Sequence, residues 1–282
     1  MAFNRRKFLK YAAILGVGTP CGLLAYAAVE AGWITVEEQD VQIANLPEEF
    51  HGFRIALLTD LHHGRFTGLP YIEAVIERAN ALNADMICVT GDLVHGSASY
   101  FTPCVQALSS LKAPHGVYAV PGNHDNWTGP ANVQLTFYRA KVPLLVNGGE
   151  WIRKESARIR IAGVDDLWTG RQNLPAALWT SRPDDVCILM SHNPDYAETL
   201  TDPRVKLILS GHTHGGQVVF PFIGAPRVPS NYGQKYLRGL VQAPATQVYV
   251  SRGVGTVTPP LRFCSPPEIS VLRLVKPAEI AV

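Results

Sequence analysis

Apolar runs alternate with stretches of helical periodicity through the first half of the chain. The runs are short and continuous, which is typical of strands buried on both faces of a sheet. They predict strands at 53–59, 85–90 and 117–120. Between and after them, apolar side chains recur at the spacing of one helix face, as at Ile72, Val75 and Ile76. This spacing predicts helices at 71–82, 100–111 and 133–141.

The second half of the chain is dominated by strand patterns separated by Gly and Pro. Alternation at 158–163 predicts a half-exposed strand. Further strands are predicted at 186–190, 205–209, 218–220, 247–250 and 269–274. The stretch 35–52 has neither pattern and is interpreted as linker-like. Strand–helix alternation followed by several strands predicts an α/β fold rich in β-structure.

The size and charge of the chain limit the classes of protein to which it can belong. At 282 residues with 47% hydrophobic composition, the chain can bury a large core. The formal charge of +2 comes from four basic residues near the N-terminus, at positions 5, 6, 7 and 10. Beyond them, 21 basic residues face 23 acidic ones. A nucleic-acid-binding domain would carry basic residues clustered on its folded part, so no nucleic-acid partner is expected.

The N-terminal segment has the features of an export signal. Asn4-Arg5-Arg6-Lys7-Phe8-Leu9-Lys10 precedes an apolar stretch at 11–29, a pattern that resembles a twin-arginine signal. The alternative is a plain membrane anchor with its basic residues on the cytoplasmic side. Ala25-Tyr26-Ala27 offers a cleavage site, but the stretch is also long enough to be retained as an anchor. We therefore expect residues 1–34 to be a signal peptide or anchor, recognised by the twin-arginine machinery, and residues 35–282 to lie in the periplasm or on the outer face of the membrane.

The five cysteines give no sign of a thiolate metal site, because none lies in a C-x-x-C pair. Cys88 and Cys187 fall within apolar runs and are expected to be buried. A bond between Cys104 and Cys264 is left open at this stage.

Polar clusters follow the predicted strands in a fixed order. In open α/β sheets, ligands gather at the carboxyl ends of the strands. Five of the nine histidines fall in these clusters, together with carboxylates and one amide. The clusters are Asp60-Leu61-His62, Gly91-Asp92, Gly122-Asn123-His124-Asp125, Ser191-His192 and Gly211-His212-Thr213-His214-Gly215.

This ordered set resembles the calcineurin-like metallophosphoesterase superfamily, whose motifs run D-x-H, G-D, G-N-H-[D/E], H and G-H-x-H. The resemblance covers about 53–274, and the motifs at 236–239 and 251–256 are similar to those of its exported or membrane-associated bacterial branch. It implies an α/β/β/α sandwich of two mixed sheets flanked by helices. It also implies a catalytic domain at 35–282.

The resemblance implies two divalent metal ions as cofactors. The ligands of the first ion would be Asp60, His62, Asp92 and His214. The ligands of the second ion would be Asp92, Asn123, His192 and His212, so that Asp92 bridges the pair. Oxygen and imidazole ligands without thiolate favour Mn, Fe or Zn. Two such ions can clamp both oxygens of an in-line displacement, with a bridging hydroxide as nucleophile.

The resemblance gives His124 and Asp125 catalytic roles that need no bond to metal. His124 would protonate the leaving oxygen or stabilise charge on the phosphoryl group, and Asp125 would orient its ring. For His95 we favour a loop histidine near the site over a substrate contact.

The predicted activity is a metal-dependent phosphodiesterase acting outside the cytoplasm on a small or lipid-linked phosphoester. Protein phosphatases of the superfamily have arginine where this chain has Leu93-Val94-His95-Gly96 and Pro121, which argues against phosphoprotein substrates. One alternative is a lipid-linked nucleotide-sugar pyrophosphatase of the UDP-diacylglucosamine type. Another is a metal-binding envelope protein without catalysis, although His124 and Asp125 favour an enzyme. Residues 218–233 are either an apolar lip beside the site or a packed surface loop.

Overall fold

The computed structural model describes residues 21–278, and within them the strands form two sheets. The order in the first sheet is β1 (Thr35–Gln42), β11 (Glu268–Val275), β2 (Arg54–Leu58), β3 (Met86–Val89) and β4 (Val117–Ala119). Strands β2, β3 and β4 are parallel, whereas β11 runs antiparallel to β2. The sheet is therefore mixed.

The second sheet is also mixed. Its order is β5 (Gly148–Lys154), β6 (Ala157–Gly163), β7 (Cys187–Met190), β8 (Val205–Ser210), β10 (Gln247–Val250) and β9 (Gly239–Gln242). The four central strands are parallel, and the two edge strands β5 and β9 run antiparallel to their neighbours.

Helices cover the outer faces of the two sheets. The helices within residues 21–278 are α1 (described from residue 21 to residue 30), α2 (Leu69–Ala81), α3 (Phe101–Leu108), α4 (Asn123–Asn126), α5 (Pro130–Ala140) and α6 (Leu174–Ala177). Apolar residues of α2, α3 and α5 pack against the first sheet. Ala177 of α6 packs against the second sheet. Pro at the start of α2, α5 and α6 suits the first helical turn, where its missing N–H has no helical partner.

The two-residue period of the strands builds this layered core. In β3, Met86 and Cys88 face the second sheet, whereas Ile87 and Val89 face the helices. A third apolar cluster lies on the far side of the second sheet. The layers therefore follow in the order helix, sheet, sheet, helix, which confirms the predicted α/β/β/α fold.

The segment 35–52, interpreted above as a linker, contains strand β1 of the first sheet. Strand β1 pairs along its whole length with β11, and Val41, Ile43 and Phe50 are buried. The interpretation was wrong because β1 is an edge strand whose charged residues conceal its alternation.

Two further strand predictions need correction. Residues 218–220 form only isolated bridges, to Phe263 and Gly224. Strand β6 is not half-exposed, because Ile159 and Ile161 pack in the core between the sheets and Ala162 packs in the cluster on the other face. Its Arg160 is buried, and the guanidinium Nε donates to Ala177 O at 3.1 Å.

The cysteines in the described residues are all free. Cys88 and Cys187 are buried as expected, and Cys264 is exposed while Cys104 is buried. A disulfide between the last two is therefore absent.

Helix α1 packs against residues 262–265 of the chain. Arg262 N donates to Ala27 O at 3.0 Å. The buried Glu30 carboxylate accepts from Ser265 N at 2.6 Å and from Cys264 N at 3.1 Å. No helix within 21–278 combines the length and apolarity of a membrane span. The twin-arginine pattern at 4–10 lies outside the described residues.

Candidate metal centre

The predicted ligands lie at the carboxyl ends of parallel strands. Asp60 follows β2, Asp92 follows β3 and Asn123 follows β4, while His192 and His212 follow β7 and β8. Parallel strands end at a common edge, and the two sheets are packed face to face. The structure therefore brings together side chains that are up to 154 positions apart in the sequence, from Asp60 to His214. All seven predicted ligands are buried.

One group consists of Asp60, His62 and His214, whose ligand atoms lie within 4.8 Å of one another. His214 Nε2 is 3.4 Å from Asp60 Oδ1, and His62 Nε2 is 3.7 Å from the same oxygen. The two imidazole Nε2 atoms are 3.0 Å apart. Three donor atoms therefore converge on one small volume.

The second group consists of Asp92, His192 and His212. His192 Nε2 is 3.3 Å from Asp92 Oδ2 and 3.1 Å from His212 Nδ1. The other nitrogen of His192, Nδ1, lies 2.7 Å from Thr90 O. That backbone contact fixes the ring and directs Nε2 at the group.

Asp92 joins the two groups. Its Oδ2 atom lies 3.6 Å from His62 Nε2 in the first group and 3.3 Å from His192 Nε2 in the second. Its Oδ1 atom accepts a hydrogen bond from His124 N at 2.9 Å. One carboxylate oxygen is thus placed between both sets of imidazoles, as a shared ligand would be.

The residues present fit two divalent cations. Asn123 Oδ1 is a buried atom without a hydrogen-bond partner, although buried polar atoms are normally satisfied. Burial opposes ionisation of Asp60 and Asp92. The neighbouring histidines nevertheless hold the pKa of each carboxyl well below its ordinary value. Two ionised carboxylates among imidazoles are the donor set of Mn, Fe or Zn.

The backbone is strained at these positions. A positive φ is rare for residues other than Gly and clusters at functional sites. Five predicted ligands adopt it: Asp60 (53°), His62 (47°), Asp92 (54°), His212 (71°) and His214 (55°). The loops are held by main-chain bonds such as Asp60 N to Gly91 O at 2.9 Å and His62 N to Asp92 O at 3.0 Å. Such unfavourable conformations indicate that the loops are shaped to aim these side chains at the site.

Gly211 allows the two sheets to approach at the site. A Cβ atom there would lie 2.0 Å from Thr59 Oγ1 and 2.2 Å from Asp60 Oδ2. His212 N, next in the chain, donates to Asp60 Oδ2 at 2.9 Å. Gly211 is therefore required for close packing between sheets, whereas Gly215 supplies a left-handed turn at φ +58°.

His124 belongs to neither of the two groups that contain a carboxylate, but its ring forms a third cluster with His62 and His95, whose ligand atoms lie within 4.8 Å of one another. Its Nε2 is 4.0 Å from Asp92 Oδ2, and its side chain is 18% exposed. Burial lowers the pKa of His124 to about 4, an effect that Asp92 opposes only in part. The imidazole is therefore neutral at pH 7, with an edge accessible from the cleft described below.

Asp125 contacts the loops that carry the ligands. Its Oδ1 accepts from Leu93 N at 2.8 Å and its Oδ2 from Gly122 N at 3.0 Å. Burial, together with Asp92, raises the pKa of Asp125 to about 7. These bonds tie the β3 and β4 loops to each other. The orienting role that was expected for Asp125 toward His124 stays a prediction.

An open cleft of about 500 Å³ leads to the site. His95 lines it and packs against His124, with ring centroids 5.1 Å apart. Trp127 packs against His124 at 4.5 Å, and Trp168 against His212 at 4.3 Å. From the sequence, His95 was expected to be a loop residue, and the tryptophans were not considered. Sequence position was the available signal, because Trp127 follows the cluster at 122–125 and Trp168 follows strand β6.

Arg262 is a second feature that sequence reasoning missed. It is fully buried, and its guanidinium donates to main-chain carbonyl oxygens of three segments. The acceptors are the O atoms of His214 (3.3 Å), Arg252 (2.8 Å), Gly253 (3.1 Å), Gly255 (2.7 Å) and Ser265 (2.9 Å). Burial lowers the pKa of Arg262 to about 10. The side chain thus joins the His214 loop to the segment beneath Asp60.

That segment, 251–255, packs beneath the site. Val254 N donates to Thr59 O at 3.1 Å and Gly255 N to Asp60 O at 2.7 Å. Its Arg252 forms ion pairs with Glu37 at 2.7 Å and Glu268 at 2.8 Å. The segment therefore supports the first ligand loop from below.

Comparison with known proteins places these motifs in a family. Residues 53–216 match the family model described as calcineurin-like phosphoesterase. The chain is 35% identical over 281 residues to the metallophosphoesterase YkuE of Bacillus subtilis, covering 96% of this chain and 97% of that one. It is 31% identical to the phosphodiesterase YaeI of Escherichia coli, covering 96% and 99%. Among solved structures, the calcineurin-like phosphoesterase YfkN of Bacillus subtilis superposes with a TM-score of 0.44 at 14% identity, over 78% of this chain and 90% of that one.

Proposed function

The chain belongs to the calcineurin-like phosphoesterase family, and from that membership we propose that it is a phosphodiesterase with a dinuclear metal centre. The observation that carries the proposal is the position of Asp92 between two groups of ligand atoms at the floor of an open cleft. The similarity to YaeI, a phosphodiesterase, supports the diester class.

Asp60, His62, Asp92 and His214 would hold one cation, and Asp92, Asn123, His192 and His212 the other. Two divalent cations there would polarise the phosphoryl group and lower the pKa of water, as phosphoester hydrolysis requires. The ionised carboxylates of Asp60 and Asp92 supply the negative charge that retains the cations.

His124 would act on the leaving group. Its Nε2 atom is within 4.0 Å of the shared carboxylate, so a phosphoryl group bound at the site would lie within its reach. A neutral imidazole can donate a hydrogen bond from Nε2 to the leaving oxygen as negative charge develops there. Trp127 and His95 pack on the ring and restrict its rotation.

We further propose that the protein acts outside the cytoplasm, in the periplasm or on the outer face of the membrane. The twin-arginine pattern at 4–10 and the apolar stretch that follows support export by the twin-arginine machinery and membrane association through the N-terminal segment. Within the diester class, a lipid-linked phosphoester is supported by exposed apolar residues beside the cleft. The alternative activity is that of a lipid-linked nucleotide-sugar pyrophosphatase of the UDP-diacylglucosamine type.

Hydrolysis of bis-p-nitrophenyl phosphate tests the activity. The full chain should be assayed in detergent, because truncation before Trp33 would remove the buried Glu30. We expect turnover that requires Mn²⁺ and disappears with chelator, and a loss of about a thousandfold or more in Asp92→Asn. Asp184→Asn, which changes an exposed carboxylate, is the matched control and should retain full activity.

The outcome separates the two classes of protein. If the full chain binds Mn²⁺ at Asp92 but hydrolyses neither this diester nor a UDP-linked lipid pyrophosphate, it is a metal-binding envelope protein without catalysis. Competition between the two compounds ranks the diesterase and pyrophosphatase activities.

A further inference from the structure

A short hairpin beside the cleft exposes two large apolar side chains at its tip. Phe220 and Gly224 close the hairpin through two main-chain bonds of 2.9 Å each. Phe222 and Ile223 at the tip are 109% and 76% exposed. Val218 on one side and Pro226 on the other line the cleft. The hairpin is therefore part of the cleft wall, and its tip extends away from the protein.

Phe222 at the tip combines an unfavourable backbone conformation with an exposed apolar side chain. Phe222 adopts φ +68°, which costs a bulky residue about 1 kcal/mol or more relative to Gly. Burial of the side chain does not offset this cost, because the side chain is fully exposed. A Gly or Asn would suit this turn better, so the position favours an apolar side chain for a reason outside the fold.

The hairpin continues into helix α1 through a line of aromatic contacts. Tyr26 of α1 packs edge-on against Phe263, with ring centroids 5.8 Å apart. Phe220 of the hairpin packs against the same Phe263 ring, with centroids 5.9 Å apart. On α1, Leu23 and Leu24 are 49% and 57% exposed. We name as the apolar ridge the exposed residues Leu23, Leu24, Tyr26, Phe220, Phe222 and Ile223.

The chain that leads into the ridge indicates what covers it. Residues 11–20, which precede position 21 in the sequence, are mostly apolar, and residues 5–10 carry four basic side chains. A segment of that composition is suited to a lipid bilayer and its anionic surface. Exposed Arg227, three residues beyond the hairpin, adds a cation between the ridge and the cleft. The ridge thus begins where a membrane-associated segment ends.

We propose that the apolar ridge inserts into the interfacial layer of a lipid bilayer, with the mouth of the cleft beside the headgroups. Large exposed apolar patches mark membrane or partner sites, and the ridge continues a segment suited to lipid. The inference deepens the proposed function, on which its second part rests. A phosphoester in a lipid headgroup would then reach the metal centre without leaving the membrane.

Fluorescence quenching by brominated lipids tests the docking without any activity measurement. The full-length Phe222→Trp variant is reconstituted with vesicles of phosphatidylglycerol and phosphatidylethanolamine, with or without bromine on the acyl chains. The matched control is Tyr138→Trp, which replaces an aromatic residue that is 82% exposed on α5. Each variant is compared with the unmodified chain, so that the native tryptophans cancel.

We expect bromine to reduce the added fluorescence of Phe222→Trp about twofold and to leave that of Tyr138→Trp unchanged. Equal quenching of the two variants, or none in either, would overturn the docking. The proposal also fails if the added fluorescence of Phe222→Trp is shielded from acrylamide in detergent-free buffer before vesicles are added. Residues 1–20 or a second copy of the chain would then cover the ridge.

A second arm tests the substrate. The double variant Phe222→Ser, Ile223→Ser should hydrolyse bis-p-nitrophenyl phosphate normally and a vesicle-embedded phosphodiester about tenfold more slowly. An equal rate on vesicles would contradict headgroup delivery. Absence of turnover on both substrates in the unmodified chain would instead contradict the proposed function, while the quenching result would still decide the docking.

Discussion

Asp60 and Asp92 show how the site keeps negative charge inside the protein. Each is buried, and burial alone would favour the protonated carboxyl. The histidines around them lower both pKa values well below the ordinary range, so both carboxylates remain ionised at neutral pH. Cations bound by these carboxylates and the histidines around them would balance that charge.

His124→Ala tests the division between ligands and leaving-group residue. Because His124 belongs to neither of the two groups that contain a carboxylate, the variant should bind as much Mn²⁺ as the unmodified chain. Its kcat should fall by about a hundredfold or more, as expected for loss of general acid–base catalysis. Metal content by atomic spectroscopy and kcat on bis-p-nitrophenyl phosphate provide the measurement.

His51→Ala is the control, since His51 is exposed and far from the cleft in the fold. A drop in metal content with kcat per bound metal preserved would make His124 a ligand-site residue and remove its proposed role.

At the scale of elements, helix α1 is built into the catalytic fold. Glu30 accepts two main-chain bonds from Cys264 and Ser265. Ser265 Oγ in turn donates to Gly215 O at 3.0 Å, within the loop that carries His214. A segment expected to be a signal peptide or anchor therefore supports the loop that carries His214. Its connection to the ridge would also give it a role in the proposed membrane docking.

Glu30→Ala tests that support. The substitution leaves the buried Ser265 N–H and the part-buried Cys264 N–H without their acceptor, and a buried group left unsatisfied costs about 1–3 kcal/mol. We expect the free energy of unfolding of the full chain to fall by about 2–4 kcal/mol, measured by urea denaturation in detergent. Glu73→Ala, an exposed position on α2, should change stability little. Equal stability of the two variants would show that α1 docking contributes nothing.

At the scale of the whole molecule, the site joins two sheets. The first sheet supplies Asp60, His62, Asp92 and Asn123, and the second supplies His192, His212 and His214. Cations bound between them would link the sheets across their common edge, since binding to the native state alone stabilises it.

Metal removal should therefore lower thermal stability. Chelation of the Mn²⁺-loaded chain should lower Tm by several degrees, because a ligand at a hundred times its Kd adds about 2.7 kcal/mol. Differential scanning calorimetry with and without chelator measures the shift. Asp92→Asn should lose most of it, and Asp184→Asn should keep it. A chelator-induced shift of equal size in Asp92→Asn would exclude cations at this site as its cause.

The sequence alone determined the fold class and the set of polar residues at the site. Continuous apolar runs identified the central strands β2, β3, β7, β8 and β10, because strands buried on both faces have no polar position to obscure the pattern. The same logic failed for β1, whose charged edge hides its alternation, and for 218–220. Motifs indicated the candidate ligand residues because the order of the motifs follows the strands, independently of distance in space.

Only the tertiary structure decided how these residues meet and what surrounds them. The placement of Asp92 between two imidazole groups depends on the packing of one sheet on the other, which no local pattern specifies. Arg262 and Glu30 bind main-chain atoms from distant segments, so their partners cannot be read from neighbouring residues. The apolar ridge likewise combines α1 with a hairpin about 200 positions later. Local periodicity fixes which face a residue occupies, whereas contacts between faces arise only once the chain is packed.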